Sequence, residues 1–274
     1  MTRVVQISDT HLSPGKRQFA GNWAPLRDWV QHLHPDLVIH TGDLTVDGAD
    51  NEDDMREGAT LLRSLGTPVL AVPGNHDVGE AGNAHQPVTA GRLERWRRNV
   101  GPDWWMHDAE QWRLVGLDSM LFGAGNDEEA RQFAWLEQIM ASADGRRIAW
   151  FTHRPLFIDA PDEGDTGYWS VKPAQRAKLL GLVSRHAVAL VATGHLHKWN
   201  DRDVAGCRYV WCASSGFLVG PDNQRDMPGE KRLGATVYEF EGSSVRVRHV
   251  DVPGLTPLWI DDVLHEVYPP RRVA

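Results

Sequence analysis

Five short segments of the sequence carry side chains that bind metal ions well, and each of them follows an apolar run. They are Asp9-Thr10-His11, Gly42-Asp43, Gly74-Asn75-His76-Asp77, His153 and Gly194-His195-Leu196-His197. Their oxygen and imidazole donors, without thiolate, suit Zn, Mn, Fe, Ni or Co. Seven candidate ligands exceed the four of a structural zinc site and fit two metal ions that share one carboxylate. They are Asp9, His11, Asp43, Asn75, His153, His195 and His197. Two cations ~3.5–4 Å apart can clamp the attacking and leaving oxygens of a phosphoryl displacement.

The apolar runs before these segments predict the strands that must position them. Strands are predicted at 3–8, 36–41, 68–72, 147–152 and 187–193, each ending where a polar segment begins. In α/β proteins, sites are built at the carboxyl ends of strands. The first three segments recur at about the length of a βαβ unit, so we expect them to converge at one edge of a sheet.

The order of the elements predicts the fold class. Amphipathic periodicity indicates helices at 23–34, 52–65, 89–99, 128–143 and 172–186, with Asn22 as N-cap of the first. Further strands are predicted at 111–118, 207–213, 233–240 and 244–251. This pattern favours an α/β (α+β) fold with two stacked mixed β-sheets flanked by helices. We expect one domain over 1–252 and a proline-rich tail over 253–274 that packs on the domain or on a partner subunit.

Composition narrows the classes of protein and of partner. The formal net charge is −8, from 29 Lys and Arg against 37 Asp and Glu, which disfavours nucleic acid as a partner. The sequence lacks a run of ~18 apolar residues, so no membrane span is expected. The two cysteines, Cys207 and Cys212, are predicted to be unpaired thiols on opposite faces of one strand. Because the first residues do not read as an export signal, we expect a cytoplasmic protein.

The five segments together resemble the calcineurin-like metallophosphoesterases. The pattern of that family is Asp-x-His, Gly-Asp, Gly-Asn-His-Asp/Glu, His and Gly-His-x-His, and this chain contains it in full and in order between Asp9 and His197. The form Gly42-Asp43-Leu44-Thr45 and the chain length are most similar to bacterial class III cyclic-nucleotide phosphodiesterases and glycerophosphodiesterases. The resemblance implies a four-layer sandwich fold and two bound metal ions, Fe, Mn or Zn.

The resemblance also implies a role for each candidate residue. The implied ligands are Asp9, His11 and His197 for the first metal ion, Asn75, His153 and His195 for the second, and Asp43 as a bridge between them. His76 would be catalytic rather than a ligand, either stabilising the charge of the transition state or protonating the leaving oxygen. Asp77 would support its loop. Some family members orient the catalytic histidine with an aspartate three residues after the bridging one, but Val46 stands there and Asp47 is one place further, so no His76–Asp47 pair is expected.

These roles predict a phosphoesterase in which a metal-bridging hydroxide attacks in line. The subgroup resemblance favours a phosphodiesterase acting on small phosphodiesters, of the cyclic-nucleotide or glycerophosphodiester type. A phosphomonoesterase, such as a nucleotide or protein phosphatase, would use the same ligands. A catalytically silent scaffold would normally have lost ligands.

The loop 154–171 follows His153 and is predicted to overhang the site, with Tyr168 and Trp169 either stacking on substrate or packing. The tail also suggests a homodimer contact.

Overall fold

Two β-sheets face each other in the computed structural model, which describes residues 1–269. The strands are β1 (Thr2–Ile7), β2 (Leu37–Thr41), β3 (Val69–Val72), β4 (Trp105–Ala109), β5 (Trp112–Leu117), β6 (Arg147–Thr152), β7 (Leu190–Thr193), β8 (Asn200–Val204), β9 (Cys207–Trp211), β10 (Ala235–Glu241) and β11 (Ser244–Val250). The α-helices are α1 (Trp23–Leu33), α2 (Glu52–Arg63), α3 (Asn75–Val78), α4 (Ala90–Asn99), α5 (Asp127–Ala141), α6 (Pro173–Arg185) and α7 (Ile260–Val267). None of the helices within this range is long and apolar enough to cross a membrane.

Both sheets are mixed, as predicted. The first has the order β11-β10-β1-β2-β3, in which β1, β2 and β3 are parallel and β10 and β11 are antiparallel. The second has the order β4-β5-β6-β7-β9-β8, with a parallel centre and an antiparallel strand at each edge. The polar segments follow β1, β2 and β3 in the first sheet, and β6 and β7 in the second. Parallel strands therefore bring all five segments to one end of the sandwich.

Side chains alternate along each strand, so each sheet has one apolar layer on its inner face and another on its outer face. In β1, Val4 packs between the two sheets, whereas Val5 packs on the outer face against helix α1. In β5, Leu114 points between the sheets and Val115 packs against helices α5 and α6. Successive residues of a strand point to opposite faces, so each sheet buries both of its faces. The result is the expected order of helices, sheet, sheet and helices.

One polar side chain joins the sheets close to the site. The amide nitrogen of Gln6 donates to the Thr41 hydroxyl (2.8 Å) and to the Thr193 carbonyl (3.1 Å). The Tyr238 hydroxyl donates to the amide oxygen of Gln6 (2.7 Å), so both ends of this buried amide have partners. Because Gln6, Thr41 and Tyr238 belong to the first sheet and Thr193 to the second, these bonds align the two sheets near the carboxyl ends of β1, β2 and β7.

The sequence predictions missed elements at the periphery. Strands β4 and β8 were not predicted, and both lie at edges of the second sheet. Charged side chains such as Asp108 and Asp203 occupy these strands, which suits an edge, but they weaken the apolar pattern that marks a strand. Helices α3 and α7 were also missed, because the first has only four residues and the second lies between prolines.

The expected capping role of Asn22 is wrong. Its side chain makes no capping hydrogen bond to helix α1. Instead, its amide nitrogen donates to the carbonyls of Gly216 (2.8 Å) and Thr256 (3.0 Å), and its oxygen accepts from the Thr256 amide (2.8 Å). Asn22 therefore ties residues after 252 to the body of the protein. The division into 1–252 and 253–274 stays a prediction, and residues 270–274 lie outside the described range.

Candidate metal centre

One group of four donor atoms consists of the Nε2 atom of His153 and three atoms around it. This nitrogen lies 3.1 Å from His195 Nδ1, 3.3 Å from Asn75 Oδ1 and 3.3 Å from Asp43 Oδ2. All four residues are buried. They follow four strands, β2 and β3 of the first sheet and β6 and β7 of the second. Together they are the second set of ligands of the sequence prediction with the bridging Asp43.

A second group of donors lies on the other side of Asp43. His197 Nε2 is 3.4 Å from Asp9 Oδ1, and donor atoms of Asp9, His11 and His197 all lie within 4.8 Å of one another. His11 Nε2 is 3.8 Å from Asp43 Oδ2, the same oxygen that approaches His153. One carboxylate oxygen therefore faces both groups, as a bridging ligand must.

In each histidine we call the ring nitrogen that faces the donor group the inner one and the other the outer one. The hydrogen bond of the outer nitrogen determines whether the inner nitrogen carries a proton or a lone pair. The Nδ1 atoms of His153 and His197 donate to the carbonyls of Thr41 and Phe217, each at 2.8 Å. His195 Nε2 donates to the Tyr168 carbonyl (3.0 Å). Carbonyls only accept, so in the neutral rings His153 Nε2 and His195 Nδ1 present lone pairs to each other 3.1 Å apart. Such an arrangement fits a cation between them.

His11 gives an independent test of the fit to a metal ion. Its Nε2 atom is buried and has no hydrogen-bond partner among the described residues. A buried polar atom without a partner is costly, and in native proteins it is generally satisfied. The nitrogen points toward Asp43, within the set of carboxylate and imidazole donors. The donor set and this unpartnered atom both fit metal ions of the Zn, Mn or Fe type.

Burial and mutual charge control protonation in the centre. Burial lowers the pKa of His11 well below its usual range, against the opposing effect of Asp43. Burial and the neighbouring His153 likewise lower the pKa of His195. Burial alone would raise the pKa of Asp43, but the surrounding histidines, His153 foremost, outweigh it and lower that pKa. For His153, burial is outweighed by Asp43, which raises its pKa to about 9. The Asp43 carboxylate and the imidazoles around it therefore shift one another's pKa strongly.

Most of the candidate ligands have a left-handed backbone conformation. The φ angles of five of the seven lie in the left-handed region: Asp9 (55°), His11 (45°), Asp43 (50°), His195 (71°) and His197 (51°). Such conformations cost of order 1–3 kcal/mol each, and Asp, Asn and His tolerate them better than other residues. They turn the chain sharply as it leaves a strand. Strain of this kind clusters at functional sites.

Two glycines allow the loops to approach. At Gly74, a Cβ atom would overlap the Asp43 side chain and its backbone nitrogen. At Gly42, where φ is +88°, a Cβ atom would lie 2.6 Å from His153 Nδ1. The sequence pattern Gly-Asp and Gly-Asn-His therefore has a steric reason, because each glycine leaves room for a neighbouring ligand.

Asp77 supports the loops, as predicted, and lies outside both donor groups. Its carboxylate accepts from the backbone amides of Leu44 (3.1 Å), Thr45 (3.0 Å) and Gly74 (2.9 Å), and from the Thr45 hydroxyl (2.7 Å). These bonds join the segment after β2 to the segment after β3. They fix the position of Asp43 relative to Asn75.

His76 lies beside the donors, with one nitrogen held by the backbone. Its Nδ1 donates to the Val46 carbonyl (3.0 Å), and its ring centre is 5.0 Å from that of His11. It is half-buried, whereas the seven candidate ligands are buried. Asp47 makes its bonds elsewhere, with its side chain accepting from Gln86 (3.2 Å). The prediction that Asp47 does not pair with His76 is confirmed, and the carbonyl of Val46 takes that place.

The pattern that unites these loops is that of a known family. The family model described as calcineurin-like phosphoesterase matches residues 2–199 of the chain. The chain belongs to the calcineurin-like phosphoesterase family. Among solved structures, the purple acid phosphatase PPD1 of yellow lupin has a similar fold, with a TM-score of 0.69 at 16% identity over 94% of this chain and 52% of that one.

Curated relatives of this calcineurin-like phosphoesterase include two kinds of esterase. A probable glycerophosphodiester phosphodiesterase, GpdQ of Arcobacter nitrofigilis, is 29% identical over 92% of this chain and 90% of its own length. The 3′,5′-cyclic adenosine monophosphate phosphodiesterase CpdA of Escherichia coli is 29% identical over 56% of each chain. The serine/threonine-protein phosphatase CPPED1 of Danio rerio is 31% identical over 69% of this chain and 62% of its own. The match therefore spans nearly all of the first relative but under two thirds of the others.

Two tyrosines from outside the motifs contact the candidate ligands of this calcineurin-like phosphoesterase. The Tyr168 hydroxyl accepts from the Asn75 amide nitrogen (3.3 Å), and its ring centre lies 4.6 Å from that of His195. The loop 154–171 thus overhangs the centre, as predicted, and Tyr168 stays 41% exposed. The Tyr268 hydroxyl lies 2.8 Å from His11 Nδ1. Sequence reasoning missed Tyr268, because it comes 71 residues after the last motif residue, His197, in a segment without a pattern.

Proposed function

We propose that this protein is a dinuclear metal-dependent phosphodiesterase that hydrolyses small phosphodiesters. The observation that carries the proposal is the shared oxygen of Asp43, 3.3 Å from His153 Nε2 and 3.8 Å from His11 Nε2, with His76 beside it. Two sets of hard and borderline donors around one carboxylate favour a pair of cations. Membership of the phosphoesterase family supplies the reaction class.

The residues that would hold the two ions follow from the two donor groups. Asp9, His11 and His197 would bind the first ion, Asn75, His153 and His195 the second, and Asp43 both. Fe, Mn or Zn ions bound there would polarise the phosphoryl oxygens and acidify a water molecule. The carbonyl partners of His153, His195 and His197 keep the inner nitrogens unprotonated and correctly oriented.

His76 would act on the substrate. With Nδ1 bonded to the Val46 carbonyl, the proton that His76 can exchange is on Nε2. An imidazolium there would stabilise charge on the phosphate and would protonate the leaving oxygen. The carbonyl accepts from Nδ1 in either protonation state, so the ring keeps its orientation while the proton moves.

The small-diester preference rests on the relatives. The probable glycerophosphodiesterase matches over 90% of its length, which supports a substrate of that class, and the cyclic-AMP phosphodiesterase matches over 56%. Tyr168, partly exposed beside His195, would contact the alcohol part of such a substrate. A phosphomonoesterase is the second candidate, because CPPED1 is 31% identical over 69% of the chain and the same donors would serve both reactions.

Hydrolysis of bis(p-nitrophenyl) phosphate beside p-nitrophenyl phosphate tests the proposal. The protein would be assayed with Mn, Fe or Zn and with EDTA, beside an Asp43→Ala control. We expect faster diester hydrolysis that EDTA abolishes and metal restores, with none from the control. Faster monoester hydrolysis would favour the second candidate. No hydrolysis and no bound metal under any condition would overturn the proposed function and favour a scaffold.

Two lesser proposals concern the setting of the enzyme. Both cysteines are free and buried, which supports a reducing, cytoplasmic location. A homodimer contact through the tail also stays a proposal, and sedimentation of the full chain would test it.

A further inference from the structure

A C-terminal segment reaches the metal centre from the far end of the chain. We call residues 253–269 the C-terminal strap. Tyr268 follows helix α7 of this strap, and its hydroxyl lies 2.8 Å from His11 Nδ1. Its ring centre is 4.7 Å from that of His76. The strap therefore contacts one candidate ligand and the candidate acid at once.

Bonds and apolar packing hold the strap in place. Asp261 accepts from the Gly220 amide (2.7 Å) and from the Asn223 side chain (2.9 Å). Leu218 exchanges backbone hydrogen bonds with the strap, accepting from Ile260 (2.9 Å) and donating to Leu258 (2.8 Å). The side chains of Ile260 and Val267 are buried in a cluster with Phe19, Val46 and Phe217. These contacts determine where Tyr268 lies.

His11 differs from the other histidines of the centre in its outer partner. The outer nitrogens of His153, His195 and His197 bond to backbone carbonyls. The outer nitrogen of His11 meets a side chain 257 residues away. Its inner nitrogen, Nε2, is buried and has no hydrogen-bond partner among residues 1–269. Donation from Nδ1 to the phenol oxygen would leave a lone pair on Nε2, which is the form that a metal ligand requires.

We propose that Tyr268 is a positioning residue for His11, and that retention of the first metal ion depends on the docked strap. The proposal rests on the dinuclear site of the proposed function. Tyr268 sets the tautomer and the ring orientation of His11 and does not itself bind the metal ion. Without the hydroxyl, the His11 ring keeps its place but loses the bond that selects the ligating form. Among the described residues, no hydrogen bond joins the strap to Asn75, His153 or His195, the candidate ligands of the second ion.

The Tyr268→Phe variant of the full chain tests this role. Titration of the metal-free protein with Mn²⁺ should show one of the two ions bound about 10–100-fold more weakly, with the other unchanged. The visible absorption of bound Co²⁺ should change for the weakened site alone. The melting temperature in EDTA should match that of the unaltered chain. Tyr209→Phe, which changes a buried tyrosine of strand β9, is the matched control and should keep both affinities.

A second variant tests the strap itself. Asp261→Ala removes the bonds to Gly220 and Asn223 but leaves Tyr268 intact, and it should weaken the same metal ion. Unaltered binding of both ions by Tyr268→Phe would overturn the proposal, as would equal weakening of both ions, since that marks a general folding defect. If the unaltered chain binds no metal ion, the proposed function fails instead, so the two failures are distinguishable.

Discussion

Replacing His76 with alanine should separate metal binding from turnover. The backbone amide of His76 donates to Asp43 Oδ1 (2.9 Å), and alanine keeps this bond. The bridging carboxylate should therefore stay in position and both ions should stay bound. The change removes only the ring that Val46 orients. The nearest carboxylate in the same segment, Asp77, already accepts four hydrogen bonds and is not free to replace the ring.

The size of the effect follows from the proposed role. General acid–base catalysis contributes ~10²–10⁴ in rate. At about 1.36 kcal/mol per tenfold, this loss corresponds to ~2.7–5.4 kcal/mol of transition-state stabilisation. Asp43→Ala removes instead the oxygen that lies 3.3 and 3.8 Å from histidines of the two donor groups, so it should lose metal as well as activity. Asn75→Ala should also lose metal, because Asn75 Oδ1 lies 3.3 Å from His153 Nε2.

The assay measures kcat and metal content on the same preparations. A substrate with a poor alcohol leaving group should suffer more from His76→Ala than bis(p-nitrophenyl) phosphate, since p-nitrophenolate leaves without a proton. Full activity of His76→Ala would refute the role. Loss of a metal ion in this variant would show that His76 is a ligand, for which its proximity to His11 and Asp43 leaves room.

Three further predictions concern packing, charge and thiols. Gly74→Ala, whose Cβ would overlap Asp43, should lower metal content, at a cost in urea unfolding of about 1–3 kcal/mol; unchanged metal content would contradict the steric argument. Burial, reinforced by Asp103, raises the pKa of Asp118, so the folded protein favours the protonated carboxyl. The same carboxyl ionises near pH 4 in the unfolded chain, so folding stability should fall as pH rises above about 4. Asp118→Asn should flatten that slope in thermal unfolding, and an unchanged slope would refute it. Burial raises the pKa of Cys207 and of Cys212 to about 12, so a thiol reagent should label neither in the native protein and both in urea.

The positions of the candidate ligands could be predicted because their side chains follow strands. Asp9, Asp43 and His153 each come within two residues of a strand end, and parallel strands deliver such residues to one edge. The partners that orient the ligands could not be predicted in this way. Thr41, Val46 and Phe217 contribute carbonyls, and any residue type has a carbonyl. Composition and spacing carry no signal for them.

The limits of fold prediction have a similar cause. Apolar periodicity indicates buried strands and helices, and it located the centre of both sheets. The edge strands β4 and β8 expose charged side chains, so their pairing depends on a neighbour rather than on their own pattern. Helix α7 has an apolar face that covers Phe19 and Phe217, but those residues are far away in the sequence. Tyr268 was missed because its role exists only once the strap has docked.

The centre depends on how the two sheets meet. Asp43 follows a strand of the first sheet and His153 a strand of the second, so the 3.3 Å between them is a distance between sheets. The amide of Gln6 bonds to both sheets at the same end, next to these loops. Interiors are close-packed, and a shift of one sheet is transmitted rather than absorbed. Metal binding should therefore respond to changes in the inner layer between the sheets, although none of the seven candidate ligands belongs to that layer.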